Sequence, residues 1–177
     1  MCVGAWDESD GLDLAATPTR VAKMYVNELF SSYHVGALER LREQFTVFPA
    51  ADQESVVSQV RVPFSSSCAH HLLPFVGHAS VVYLPGNKIV GLSKIARTVK
   101  FFSRKLQTQE RLTNEIADFL CEELKPKSLM VILEANHLCM QCRGVEIADV
   151  LTRTSAVRGL ALISHSVKSE FLSLLTK

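Results

Sequence analysis

The sequence predicts an α+β domain built on an antiparallel sheet. Three observations carry that prediction: helical spacing near the N-terminus, a change to period two from about residue 55, and strands and helices that then come in blocks rather than strict alternation. The first dozen residues, rich in Asp, Gly and Ser, read as a loose lead-in. Thr17-Pro18 supplies a cap followed by proline at the first helical position. Val21, Met24, Tyr25 and Leu29 then recur at helical spacing, which predicts a helix over about 18–32 with Arg20, Lys23 and Asn27 on its other face. Residues 35–55 carry mixed signals and are read as a short helix and a loop.

From Ser55 onward, Val60, Val62 and Phe64 alternate with Gln59, Arg61 and Pro63, the period of a strand. Val76–Leu84 is a second strand, Pro85-Gly86-Asn87 a turn, and Lys88–Val90 its return. Helical spacing resumes over Gly91–Arg104, with Leu92, Ile95, Val99 and Phe102 as the buried stripe. A longer helix runs to Lys125 with Leu112, Ile116, Phe119, Leu120 and Leu124 inward, and Pro126 stops it. Leu129–Glu134 and Gly144–Ser155 read as strands, and Val167, Phe171, Leu174 and Leu175 fit a last helix.

A chain of 177 residues is read as one domain, 1–177, with a helical segment over 1–54 and a core over 55–177. Apolar residues make up 47% and charged residues 21%, enough for a sizeable core. With 19 basic and 18 acidic residues the net charge is +1, which argues against long nucleic acids as partners. No run approaches a membrane span, and no secretory signal is read at the N-terminus. Five cysteines, an odd number, suit reduced thiols or metal ligands in a cytoplasmic protein.

Cys68-Ala69-His70-His71 places a thiol and an imidazole three residues apart, a spacing that suits two ligands of one zinc ion. The second half-site is His137-Leu138-Cys139-Met140-Gln141-Cys142-Arg143-Gly144. Taken as Cys139-x-x-Cys142 it would close a structural Cys3His site and favour a zinc-stabilised interaction module. If the preceding strand continues as extended chain, however, His137, Cys139, Gln141 and Arg143 share one face and Cys142 becomes a core thiol. Cys68, His71 and Cys139 are then three ligands with a fourth position open, as in catalytic zinc sites. His70 and His137 flank them as non-ligand imidazoles suited to proton transfer near neutral pH. Ser93, Arg97, Lys100 and Arg104 follow one another at helical spacing with Lys94 beside them. They form either a solvated face or, with Arg20, Lys23 and Arg143, a polyphosphate clamp. Glu110 either favours its helix start or accepts paired N–H donors from a guanine edge.

These blocks resemble the GTP cyclohydrolase I family. The likeness runs through Thr17–Tyr25, Cys68–Phe75, Gly91–Arg97, Gln107–Thr113, His137–Gly144, Thr154-Ser155 and Glu170–Leu172, in order and over nearly the whole chain from about residue 11. It implies a tunnelling fold: a four-stranded antiparallel sheet with two helices on it, closed into an oligomeric barrel. It implies a homodecamer of two stacked pentamers with active sites between subunits. Cys68, His71 and Cys139 correspond to zinc ligands and His70, His137 and Ser93 to catalytic residues. Glu110 with Gln109 corresponds to a guanine anchor, and Arg20, Lys23, Lys94, Arg97 and Arg143 to a triphosphate clamp. The implied reaction is zinc-dependent hydrolysis of GTP at guanine C8, formate release and rearrangement to 7,8-dihydroneopterin triphosphate, feeding folate, pterin or 7-deazaguanine synthesis.

This chain departs from the family pattern at Ala69, where the family usually has glutamate. Ile147 and Val150 stand where polar residues are usual. The alternative these departures raise is a divergent member that acts on a related nucleotide, stops at an intermediate, or only binds nucleotide or pterin.

Overall fold

The structure, a computed structural model, describes residues 14–50 and 55–175. The loose lead-in and Cys2 lie outside the described residues. In chain order the elements are α1 (Thr17–Met24), α2 (Ala37–Glu43), β1 (Val47–Pro49), β2 (Val57–Cys68), β3 (Pro74–Leu84), β4 (Lys88–Val90), α3 (Leu92–Ser103), β5 (Leu106–Gln107), α4 (Gln109–Leu124), β6 (Ser128–His137), α5 (Leu138–Gln141), β7 (Leu151–Gly159) and α6 (His165–Leu175). The first helix ends earlier than its spacing predicts, because the chain widens into a π turn over Tyr25–Leu29.

The main sheet has the order β5-β2-β3-β6-β7. The four long strands are antiparallel neighbours, as expected, and the two-residue β5 adds a parallel edge on β2. The predicted alternation in β2 holds for Val62 and Phe64, which are buried, but not for Val60, which is exposed. A register shift between Gln59 and Val62, with Arg61 at φ 58°, reverses the side on which the earlier residues point.

The short strand after the Pro85-Gly86-Asn87 turn does not return along β3. Both edges of β3 are taken, with Val57 opposite Tyr83 on one side and Ser128 opposite Leu84 on the other. β4 pairs instead with β1, in the register Val47↔Val90, Phe48↔Ile89 and Pro49↔Lys88. That small ladder ties the segment before residue 50 to the entrance of α3, where the Gly91 N–H donates to the Thr46 carbonyl at 3.1 Å.

Helices α3 and α4 cover one face. Ile95, Val99, Phe102, Leu112, Ile116, Phe119, Leu120 and Leu124 close over Ala79, Val81, Tyr83, Leu129, Val131 and Leu133. Every predicted stripe residue of these two helices is buried except Leu92, the first residue of α3, which is 63% exposed. The last helix expected from Val167, Phe171, Leu174 and Leu175 is α6; it lies on the opposite face, a third helix beside the two that the resemblance implies, and there Phe171 and Ala161 pack against Val82 and Met130. The strand expected from Gly144 begins only at Leu151. Gly144, Glu146 and Asp149 all have φ between 54° and 70°, left-handed conformations that an extended strand excludes.

Candidate metal centre

β2 and β6 both flank β3, so the end of β2 and the end of β6 arrive on either side of the start of β3. The first delivers Cys68, buried, into a tight loop in which the Cys68 N–H donates to the Leu73 carbonyl at 2.8 Å and the Leu72 N–H to the Cys68 carbonyl at 2.9 Å. Leu72 takes a left-handed conformation to close that loop. The second delivers His137, and the single turn α5 then swings Cys139 inward.

The ligand atoms of Cys68, His71 and Cys139 lie within 4.8 Å of one another. His71 Nδ1 is 3.8 Å from Cys68 Sγ. Bond lengths of about 2.3 Å to sulfur and 2.0–2.1 Å to nitrogen place tetrahedral donors roughly 3.6 Å apart, so the spacing and the S/N/S chemistry fit a zinc-like ion. Burial, and then the neighbouring Cys68, push the Cys139 thiol above its ordinary pKa, with Arg143 opposing.

Extended chain does not bring Cys139 into the group. The strand ends at His137, and it is a helical turn that selects Cys139. Cys142 is not the core thiol expected: it is exposed, its Sγ donates to the Leu138 carbonyl at 2.9 Å, and it lies outside the three-residue group.

His137 is half-buried, stacked on Phe75, and within 2.8 Å of Gln109 Oε1 through Nε2. Burial lowers its pKa below the ordinary imidazole value, and the Glu110 carboxylate pulls it back up. Glu110 is exposed in the first turn of α4, whereas the Gln109 side chain is buried. His70 is exposed, its ring centroid 6.1 Å from that of His71. Arg143 reaches the centre: its Nη1 is 3.4 Å from His71 Nε2 and donates to the Cys139 carbonyl at 3.3 Å.

The other predicted cations lie on α1 and α3. Ser93 and Arg97 are exposed on α3 with Lys94 half-buried beside them. Arg97 donates to Gln44 Oε1 at 2.8 Å. It borders a cleft of about 350 Å³ with Arg40, Lys100 and Arg104, and none of the three ligands lines that cleft. Arg20 donates to Thr17 Oγ1 at 2.9 Å on α1, and Lys23 is exposed on the same helix. The Tyr25 hydroxyl, donating to the Leu72 carbonyl at 3.2 Å, joins this region to the metal loop. Phe75 and Tyr25 were not singled out for the site from sequence; both contacts depend on which strands and loops become neighbours.

A Cys–His–Cys cluster with a half-buried imidazole beside it, at one end of an antiparallel sheet, defines a candidate metalloenzyme. Comparison with known proteins sharpens that class. The GTP cyclohydrolase I family model matches residues 2–176. The proteins named GTP cyclohydrolase 1 from Bacillus cytotoxicus and Bacillus mycoides are each 46% identical over 158 residues, covering 89% of this chain and 81% of theirs. Among solved structures, an archaeosine synthase QueF-Like in the apo form aligns over 61% of this chain and 97% of its own at 15% identity and TM-score 0.49, too low to carry weight. The chain belongs to the GTP cyclohydrolase I family and is a hydrolase of that kind. None of its described helices is long and apolar enough to cross a membrane.

Proposed function

We propose that the protein hydrolyses GTP at guanine C8, releases formate, and carries the product on to 7,8-dihydroneopterin triphosphate in folate, pterin or 7-deazaguanine synthesis. The observation that carries this reading is the convergence of Cys68, His71 and Cys139 within 4.8 Å in a chain of this family. Those residues would hold Zn²⁺, which when bound supplies Lewis acidity to a water at near-neutral pH.

The remaining steps belong to the protein's own groups. Glu110, together with the main-chain N–H groups in the first turn of α4 that have no intrahelical partner, anchors the guanine edge. His137 delivers a proton to the imidazole nitrogen as the ring opens. His70 and Ser93 assist ribose opening and rearrangement. Arg143, already at the centre, binds phosphate with Arg20, Lys23, Lys94 and Arg97.

Because Arg97 lines a different cleft from the ligands within one chain, we take each active site to be completed by a neighbouring subunit, in a homodecamer. Exposed Leu72 in the metal loop, and exposed Val145 and Ile147 just after Arg143, suit such an interface. The deciding experiment is anaerobic GTP turnover by purified protein with metal analysis, formate assay and product mass. Bound metal with no formate would overturn the reading.

A further inference from the structure

Gln109 opens α4 with its side chain only 2% exposed, so its amide must be satisfied by protein. Its Nε2 lies 3.1 Å from the Leu133 carbonyl, 3.0 Å from the Thr152 carbonyl and 3.2 Å from Thr154 Oγ1. Main-chain carbonyls only accept, so the amide nitrogen must face them; the flipped amide would set oxygen against oxygen. The hydroxyls agree. Thr113 donates to the Gln109 carbonyl at 2.7 Å, so across the 2.6 Å contact between Thr113 and Thr154 it is Thr154 that donates. Thr154 therefore has only acceptor capacity left for Gln109.

With the nitrogen fixed, Oε1 is the atom that meets His137 Nε2 at 2.8 Å. An amide oxygen cannot donate, so His137 Nε2 carries the hydrogen. Phe75, stacked at 4.7 Å and 5°, fixes the plane of the same ring. Among the described residues His137 Nδ1 has no hydrogen-bond partner.

We propose that Gln109 is a positioning residue: with Thr113 and Thr154 behind it, it holds His137 as the Nε2–H form and leaves Nδ1 as the ring nitrogen that meets substrate. The inference rests on the proposed role of His137 as proton donor. In that step the bare Nδ1 first takes the proton released as the attacking water's O–H bond breaks and its oxygen bonds to C8; the Nδ1–H bond then breaks, its electron pair stays on Nδ1, the proton passes to the substrate nitrogen, and Nε2–H remains on Gln109 throughout. The guanine edge is left to Glu110 and the main chain, not to the Gln109 amide.

The test is ¹⁵N nuclear magnetic resonance of histidine-labelled, metal-loaded protein, with His137→Asn to assign the ring, alongside steady-state kinetics on GTP. In the wild type the His137 signals are those of a protonated Nε2 and a bare Nδ1. In Gln109→Leu they move toward a tautomer average, and kcat falls about tenfold with KM within about twofold. Thr154→Val, a milder change, gives a smaller displacement of the same signals and about a threefold fall in kcat, and stands in should the leucine variant not fold. A wild-type His137 protonated on Nδ1 overturns the proposal. So does a rise in KM at constant kcat with unmoved His137 signals, which would give the amide to guanine. Failure of the wild type to release formate from GTP would overturn the reaction assignment alone, since the ring signals report independently.

Discussion

His137 lies flat on Phe75, ring centroids 4.7 Å apart and planes 5° from parallel, because β3 and β6 place the two residues directly opposite one another. Phe75 is fully buried, so the imidazole rests on a plate that cannot tilt. Phe75→Leu removes an aromatic pair worth about 0.5–1.5 kcal/mol beyond its buried area, and the protein loses about 1–3 kcal/mol of stability in all. We expect kcat on GTP to fall about tenfold with metal content unchanged. Denaturant titration and formate release, measured on the same sample, check both halves; an unaltered kcat would show that the stack does not hold the ring for catalysis.

Cys68→Ser and Cys139→Ser should each abolish stoichiometric metal binding while leaving the sheet intact, since Cys68 is the last residue of β2 and Cys139 lies in the turn α5 just past the end of β6. A metal present at about a hundred times its dissociation constant stabilises the fold by about 2.7 kcal/mol, and a chelator should remove that increment. Thermal unfolding with and without chelator tests this. No shift in the wild type would show that the three side chains are not a metal site.

The cysteines should sort by accessibility and charge. Cys142 is exposed and should alkylate first. Burial raises the Cys121 pKa above that of an ordinary thiol, with Arg158 opposing, so less of it is thiolate at neutral pH and its modification sets in later as pH rises. Cys68 and Cys139 should stay unmodified with metal bound and react once chelator is added. Peptide mass mapping over time gives the order; early labelling of Cys139 in metal-loaded protein would remove it from the ligand set.

A site shared between subunits predicts complementation. Arg97→Ala keeps the three ligands and damages the clamp, whereas Cys139→Ser keeps the clamp and loses the metal. Each alone should be nearly inactive on GTP. Co-refolded mixtures should regain activity, because some sites then draw both intact halves from different chains. Mixtures as inactive as their components would place the whole site within one chain.

The parts readable from residues were those set by local period. The stripes Ile95–Val99–Phe102 and Leu112–Ile116–Leu120 are buried as spaced, because 3.6-residue periodicity needs no knowledge of neighbours. The partner of β4 was not readable: pairing depends on which sheet edges remain free, and both edges of β3 are taken by strands far away in sequence. Nor was Val60 on the outer side, since nothing in Gln59-Val60-Arg61 announces a bulge. At the metal centre spacing suggested Cys68 and His71 as candidate donors and left the choice between Cys139 and Cys142 open, because the turn at Leu138 that separates them was not readable. Val150 and Ile147 lie in a stretch with apolar content and no turn dipeptide, so the left-handed residues that keep it out of the sheet gave no warning.

The strand order also dictates when the metal can arrive. Cys68 and His71 belong to the β2–β3 hairpin, which a chain emerging from the ribosome can close at once. Cys139 joins them only after β6 docks on β3, and that closure waits for the whole α3–α4 excursion between Leu84 and Ser128. A nascent chain would thus hold a two-donor half-site while the residues between the hairpin and β6 are made, and would gain its third donor only with Cys139. An ion captured by all three donors would therefore close a sheet already assembled rather than seed one.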